Sequence, residues 1–206
     1  MQKIFFDVGA YNGISSINIA RSEPNTKVYA FEAVPELITQ IILQTTDLPN
    51  YNIVEKAVCD YDGETTFNVR TEGDWGQGSL LNFTDDVDRI WPNDKLKFSK
   101  QINVKVTRLD TFIKENKIDK IDYLHVDTQG CDLKVIKGLG EYINIVHEGV
   151  VEAASLKREA YVCQNTKEET IIYLEQMGFE IVKVEANDIK ENEVNIFFKR
   201  RTSNSV

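Results

Sequence analysis

Two carboxylates and two glycines near the head of the chain have the types and spacing to hold a ligand. Asp7-x-Gly9-x-x-x-Gly13 follows the apolar run Ile4-Phe5-Phe6 and leads into small and apolar residues at helical spacing from Ile14 to Ala20. A strand that runs through glycines into a helix is a cradle for an adenosine-bearing cofactor, because glycine lets backbone reach the ligand without a Cβ. A dinucleotide would call for Gly-x-Gly-x-x-Gly, with its pyrophosphate on the helix N-terminus. Here the Asp7 carboxylate repels phosphate and suits a cation, and S-adenosylmethionine carries both an ammonium and a sulfonium. Lys27 to Glu32 then alternates as a second strand. Its terminal acid falls about 20 residues past the turn, where it would accept the ribose hydroxyls. The expected cofactor set is Asp7, Gly9, Ala10, Tyr11, Asn12, Gly13, Glu32 and Ala33, with Ala57 and Val58 lining the adenine from the end of a third strand.

A second group of acids falls at later strand ends. Ile121 to Asp127 reads as the fourth core strand and Ile145 to Val151 as the fifth, ending at Glu152. Transfer of the donor's methyl group needs an acceptor atom held about 3 Å from the methyl carbon and its proton removed as the bond forms. Asp127, Glu152 and His125 are the candidates for that work. Two readings of the acids stand. One of them acts as general base, or Asp127, Asp132 and Glu152 together hold a hard divalent cation that lowers the pKa of the acceptor oxygen. Thr71 to Lys100 breaks the alternation of elements and reads as a lid or insert, in which Trp75, Gln77 and Ser79 offer an aromatic face and hydrogen bonds to a substrate.

The elements that position these residues alternate regularly. Pro35 opens a helix running to about Thr46, and Asn52 to Cys59 reads as one strand. Thr65 to Arg70 and Asn103 to Arg108 add further strands, and Asp110 is the expected cap of the helix after Leu109. Thr166-Lys167-Glu168-Glu169 is a capping box. Phe179 to Glu185 and Glu193 to Lys199 close the chain as a hairpin, and a frayed tail follows residue 200. This order predicts a single, doubly wound, Rossmann-like α/β domain, its sheet mostly parallel with an antiparallel C-terminal edge.

Composition narrows the partners. The 206 residues, 42% of them apolar and 28% charged, are those of one globular domain with a real core. A net charge of −9 argues against a nucleic-acid partner, which needs a basic face. No apolar run is long enough to span a membrane. Cys59, Cys131 and Cys163 are odd in number and widely spaced, as expected of thiols in a reducing, cytoplasmic setting. The first strand begins almost at Met1, which implies either a domain cut from a larger glycan-processing protein or a minimal member of its class.

Taken in order, Asp7 to Gly13, Tyr29-Ala-Phe-Glu-Ala33 with Pro35, Ala57-Val58, Asp62-Gly63, Gly78-Ser79-Leu80, Leu109-Asp110 and Asp127-Thr-Gln-Gly130 with Asp132 resemble the FkbM family of methyltransferases. The resemblance implies a class I methyltransferase sheet, S-adenosylmethionine as cofactor, and O-methylation of a hydroxyl on a sugar, glycan or related metabolite. The family's fourth-strand signature commonly reads Lys-x-Asp-x-Glu-Gly-x-Glu. This chain has His125, Gln129 and Asp132 at its first, fifth and last positions. The alternative these departures raise is a cofactor-binding module without catalysis, serving a docking or structural role.

Overall fold

The computed structural model describes residues 2–72, 74–92, 96–155, 159–187 and 192–202. In chain order the first half comprises β1 (Lys3–Val8), α1 (Ile14–Ser22), β2 (Thr26–Glu32), α2 (Pro35–Thr45), β3 (Tyr51–Glu55), β4 (Ala57–Val58) and β5 (Gly63–Val69). The second half follows with α3 (Val87–Ile90), β6 (Lys100–Thr107), α4 (Leu109–Asn116), β7 (Ile121–Val126), α5 (Asp132–Lys137), β8 (Val146–Ala154), α6 (Lys167–Gln176), β9 (Phe179–Ala186) and β10 (Glu193–Arg200).

Seven strands form the main sheet in the order β3-β2-β1-β7-β8-β10-β9. The first five run parallel, and β10 lies antiparallel between β8 and β9. This is the expected doubly wound α/β architecture with its antiparallel hairpin at one edge. Sequence order reverses direction between β1 and β7, and in open α/β sheets ligands bind at the carboxyl ends of the strands flanking such a switch.

Parallel strands are apolar on both faces because helices cover both. Phe5, Val28 and Ala30 meet Ile17 and Ala20 of α1 and Ile41 of α2 on one face. Phe6, Val8, Phe31, Leu124 and Val151 meet Phe112 of α4, Leu133 and Ile136 of α5 and Leu174 of α6 on the other. On the α1 face a groove with about 1750 Å³ of empty space opens over Tyr123, His125 and Val150. Thr166 caps α6 through the expected box, its hydroxyl accepting from the Glu169 N–H while the Glu169 carboxylate accepts from the Thr166 N–H.

Three elements differ from the sequence expectation. The run Asn52 to Cys59 is two strands, because the Lys56 N–H donates to the Val54 carbonyl at 2.8 Å and turns the chain out of the main sheet. Ala57 and Val58 instead pair with β6 in a separate three-stranded sheet, β4-β6-β5. Asp110 is not the cap of α4. Arg108 occupies that position, and Asp110 sits in the first turn paired with the Arg108 guanidinium at 2.6 Å. The segment 71–100 carries a short 3-10 turn at Trp75–Gln77 and helix α3, and Phe83, Phe98 and Tyr161 pack its far end onto the domain. Among the described residues no helix is long and apolar enough to cross a membrane.

Phe6 is wholly buried in the central strand, its ring against Tyr29, Phe31 and Phe112. Phe6→Ala is expected to cost about 3–5 kcal/mol in urea unfolding, the range for emptying a packed aromatic site.

Candidate functional site

The crevice at the switch point depends on how closely β1 and β7 approach. Gly9 has φ +85°, and a Cβ there would lie 1.8 Å from the Asp127 carbonyl oxygen, so only glycine fits. Opposite it, the Asp127 N–H donates to the Val8 carbonyl at 2.9 Å. With the two chain segments joined this way, a crevice of about 520 Å³ opens between the strand ends. Gly9, Tyr11, Glu32, Ala33, Ala57, Val58, Trp75 and Asp127 line it, together with Phe31, Leu37, Phe67, Thr128 and Gln129. A second pocket of about 610 Å³ continues from it past Asp74, Gln77, Asn187 and Glu193, sharing Gly9, Tyr11, Asp127 and Gln129 with the first.

Glu32 closes β2 at the crevice wall. Its Oε1 accepts from the N–H groups of Ala33 (2.8 Å) and Val34 (2.9 Å), and its Oε2 accepts from Tyr11 N–H at 2.8 Å. A carboxylate oxygen has two lone-pair sites, so Oε2 keeps one for a ligand. Burial pushes the Glu32 carboxyl up to about 7, the three N–H donors pull against that, and the Asp7 charge adds to the rise.

Several expected residues fall elsewhere. Asp7 does not line the crevice. In the β1–β7 register it lies beside His125, and its Oδ1 is 2.7 Å from His125 Nδ1. His125 therefore faces the groove on the α1 side, away from the crevice. Ala10 is buried and donates to Phe31 O, Asn12 Oδ1 accepts from Ile14 N–H, and Gly13 caps α1 with φ +70°. These three shape the turn. Ser79 is fully buried and donates to the Gln129 carbonyl at 2.6 Å while accepting from Leu81 N–H, so its hydroxyl is spent within the protein.

Asp127 and Glu152 do come together, as neighbouring strand ends should. Gln129 Nε2 donates to Asp127 Oδ1 at 2.7 Å and to Glu152 Oε2 at 3.3 Å, and Asn187 Nδ2 donates to Glu152 Oε1 at 2.5 Å. Burial above all, then the Asp127 charge and a hydrogen bond with Asp127, raises the Glu152 pKa well above the carboxylate range. Asp132 is a turn-former, not a ligand for a cation. Its Oδ1 accepts from the N–H and hydroxyl of Thr128, and its Oδ2 from Gly130 N–H. Burial, followed by the Asp127 charge, lifts it to about 7. Among the described residues no group of three or more His, Cys, Asp or Glu side chains is placed to hold a metal ion, which gives the cation reading of Asp127, Asp132 and Glu152 no support.

Sequence reasoning passed over Asp74, Gln129 as a bridge, Tyr161, Asn187 and Glu193. All but Gln129 come from segments distant in sequence, with no local spacing to announce them. Gln129 alone carried a signal, its position inside the fourth-strand signature.

The open α/β sheet carries a crevice, walled by a glycine turn, Glu32 and Asp127, at the switch point where such sheets take ligands. The chain belongs to the family described as the methyltransferase FkbM domain, whose sequence profile matches residues 7–181, a family of S-adenosylmethionine-dependent methyltransferases. Among curated proteins none matches it. Among solved structures, it is similar to an rRNA methylase from Streptococcus thermophilus, with TM-score 0.52 and 10% identity over 98% of this chain and 88% of that one. It is also similar to Aeropyrum pernix fibrillarin in complex with natively bound S-adenosyl-L-methionine, with TM-score 0.51 and 11% identity. That alignment covers 96% of this chain and 66% of the fibrillarin. At such identities the likeness is one of fold.

The Asp7–His125 contact makes stability depend on pH. Burial disfavours the imidazolium, but the hydrogen bond and charge of Asp7 outweigh it and raise the His125 pKa. A raised folded-state value means the pair stabilises fully below about pH 6.5, the ordinary imidazole pKa, and ceases to as pH climbs through the raised one. The urea midpoint of His125→Gln should therefore lie furthest below wild type near pH 5.5 and converge on it by pH 9. A gap that stays constant across that range would refute the pairing.

Proposed function

We propose that the crevice binds S-adenosylmethionine and that the protein transfers its methyl group to a hydroxyl of a sugar, glycan or related small metabolite. The observation that carries this reading is the contiguity of the two pockets. An adenosine-sized crevice walled by Gly9, Glu32, Ala57 and Val58 opens at Asp127 into a polar chamber with Asp74, Gln77 and Glu193.

Glu32 takes the ribose through the free lone pair of Oε2, and the apolar walls at Ala57, Val58 and Leu37 take the adenine. Tyr11 and Trp75 border the opening. With Asp7 engaged by His125, the field that favours a cationic donor comes from Asp74, Asp127 and Glu193 at the junction of the pockets. S-adenosylmethionine supplies a methyl group on sulfonium, an electrophile that needs only an aligned nucleophile. Asp127 faces the chamber and serves as general base, taking the acceptor proton as the new C–O bond forms. Glu152, buried behind Asp127 with its pKa raised, keeps a proton within the pair and limits the build-up of negative charge.

The acceptor side favours a neutral, hydroxyl-rich molecule. The chamber offers carboxylates, amides and an aromatic edge, and no lysine or arginine lines it among the described residues. A phosphate backbone would meet Asp74, Asp127 and Glu193, so the RNA named for the fold relatives is disfavoured as a substrate. The thiols are free, with Cys59 and Cys131 buried and Cys163 exposed, which suits a reducing compartment such as the cytoplasm.

Two measurements test this. Calorimetry should show S-adenosylmethionine binding and no binding of NAD, with affinity falling about tenfold from pH 8 to pH 6 as Glu32 takes up its proton. The sign follows from a ligand that prefers the carboxylate, so binding expels a proton, and Glu32→Gln should bind weakly and without that pH dependence. In transfer assays with labelled donor and a panel of glycosides, Asp127→Asn should lower kcat by about 10²-fold or more. Donor affinity should change far less. Donor binding with no transfer to any hydroxyl acceptor would count for the non-catalytic module.

A further inference from the structure

Gln129 sits in the left-handed region at φ +55°, a conformation side chains other than asparagine and aspartate adopt rarely. Such strain persists where the surroundings over-determine it. Every polar atom of its amide is engaged. The two Nε2 hydrogens go to Asp127 and Glu152, and Oε1 accepts from the Tyr161 hydroxyl at 2.6 Å. The orientation of the amide is forced, since only the NH₂ can donate to two carboxyl groups. Its backbone is held as well, because the Gln129 carbonyl accepts from Ser79 Oγ at 2.6 Å.

Both partners lead to the same segment. Ser79 opens the stretch that comprises residues 79–92 and 96–99, and Tyr161 packs against it. The Tyr161 ring lies 5.1 Å from that of Phe83, which stacks on Phe98 at 4.1 Å. Val162 N–H donates to Asn82 O and Thr84 N–H to Ala160 O, pinning the two strands of backbone together. Tyr161 can come so close only because residue 130 is glycine, where a Cβ would stand 2.9 Å from the Tyr161 Cβ. Tyr161 is buried, so its hydroxyl has little water to turn to if Gln129 moves.

We propose that Gln129 and Tyr161 are positioning residues that tie the seating of the flap formed by residues 79–92 and 96–99 to the alignment of the Asp127–Glu152 pair. The flap seated, Tyr161 fixes the amide oxygen, the amide hydrogens hold both carboxyl groups, and Asp127 points into the chamber. With the flap lifted, Tyr161 leaves, the amide is free to rotate, and the two acids lose their shared donor. The inference rests on the methyl-transfer reading for its consequence, but its geometry can be tested without turnover.

Tyr161→Phe keeps the ring and deletes the hydroxyl. Carbon-13 NMR titration of the aspartate and glutamate carboxyls in the whole protein reads the pair directly. The midpoint of the Asp127–Glu152 signals should move by about half a pH unit or more, while the melting temperature stays close to wild type. Gln129→Glu, which adds a carboxylate between two others, should move those midpoints upward by about one unit. Hydrogen exchange should quicken in 79–92 and 96–99 in both variants. On any acceptor the wild type methylates, Tyr161→Phe should lose kcat about tenfold with the KM for donor nearly unchanged. Unmoved carboxyl titrations in both variants would overturn the proposal whatever the enzyme does. Moved titrations in a wild-type protein that transfers no methyl would keep the positioning link and sink the methyl-transfer reading instead.

Discussion

The site depends on one close approach, the backbone of Gly9 against the carbonyl of Asp127. The two strands that flank the switch point could pair along their length with any residue there, but at their ends a Cβ would collide with the carbonyl. Glycine removes that collision and supplies the positive φ that turns the chain toward α1. From this contact the crevice inherits its width. The turn beyond Gly9 presents the Tyr11 N–H to Glu32, so the second strand is bound to the first by the same turn that opens the pocket.

Charge is handled in a consistent way around that contact. Glu32 and Asp132 are nearly or wholly removed from water, and each spends its oxygens on backbone N–H groups of the loop beside it. Buried carboxylates without such donors would cost several kcal/mol each. With them, the acids order the loops at the ends of β2 and β7 and their pKa values settle near 7. Glu152 has side-chain amides in place of backbone donors, and burial first, then the neighbouring Asp127 charge, raises its pKa. Burial thus sorts the acids into those that shape loops and the one, Asp127, that faces the open chamber.

Much of this was legible in the sequence, and the legible parts share a cause. The strand–glycine–helix opening, the acid at the end of β2, the capping box of α6 and the alternation that marks a mostly parallel sheet with an antiparallel C-terminal edge all follow from periodicity and spacing. What escaped was set by register or by distant contacts. Asp7 and His125 stand far apart in sequence and meet because β1 and β7 are parallel neighbours, so the aspartate read as a ligand group belongs to the opposite side of the strand ends. The break at Lys56 falls on the charged pair Glu55-Lys56 between Ile53-Val54 and Ala57-Val58, which the β-rich residues on either side make read as one strand. Ser79 read as a substrate donor because its hydroxyl is free in the sequence, whereas in the fold it holds Gln129. Asp74 and Asn187 reach the chamber from loops and Glu193 from the first position of β10, where local pattern does not say which distant site a residue joins.

The departures from the fourth-strand signature gain a physical meaning from these contacts. Histidine in place of lysine at 125 puts an imidazole nitrogen 2.7 Å from Asp7 Oδ1, and that contact raises the His125 pKa. Aspartate in place of glutamate at 132 still caps the loop, its shorter stem matching the tight turn from Thr128 to Gly130. Glutamine in place of glutamate at 129 has the largest effect. A glutamate there would set a further carboxylate against Asp127 and Glu152 in a buried space, a like-charge contact that only added protons could relieve. The amide replaces that repulsion with two donated hydrogen bonds, and its oxygen accepts a third from Tyr161. The three changes therefore fit one another: the loop keeps its shape and its facing acid, and the balance of charge behind that acid is reset by exchanging a carboxylate for a neutral bridge.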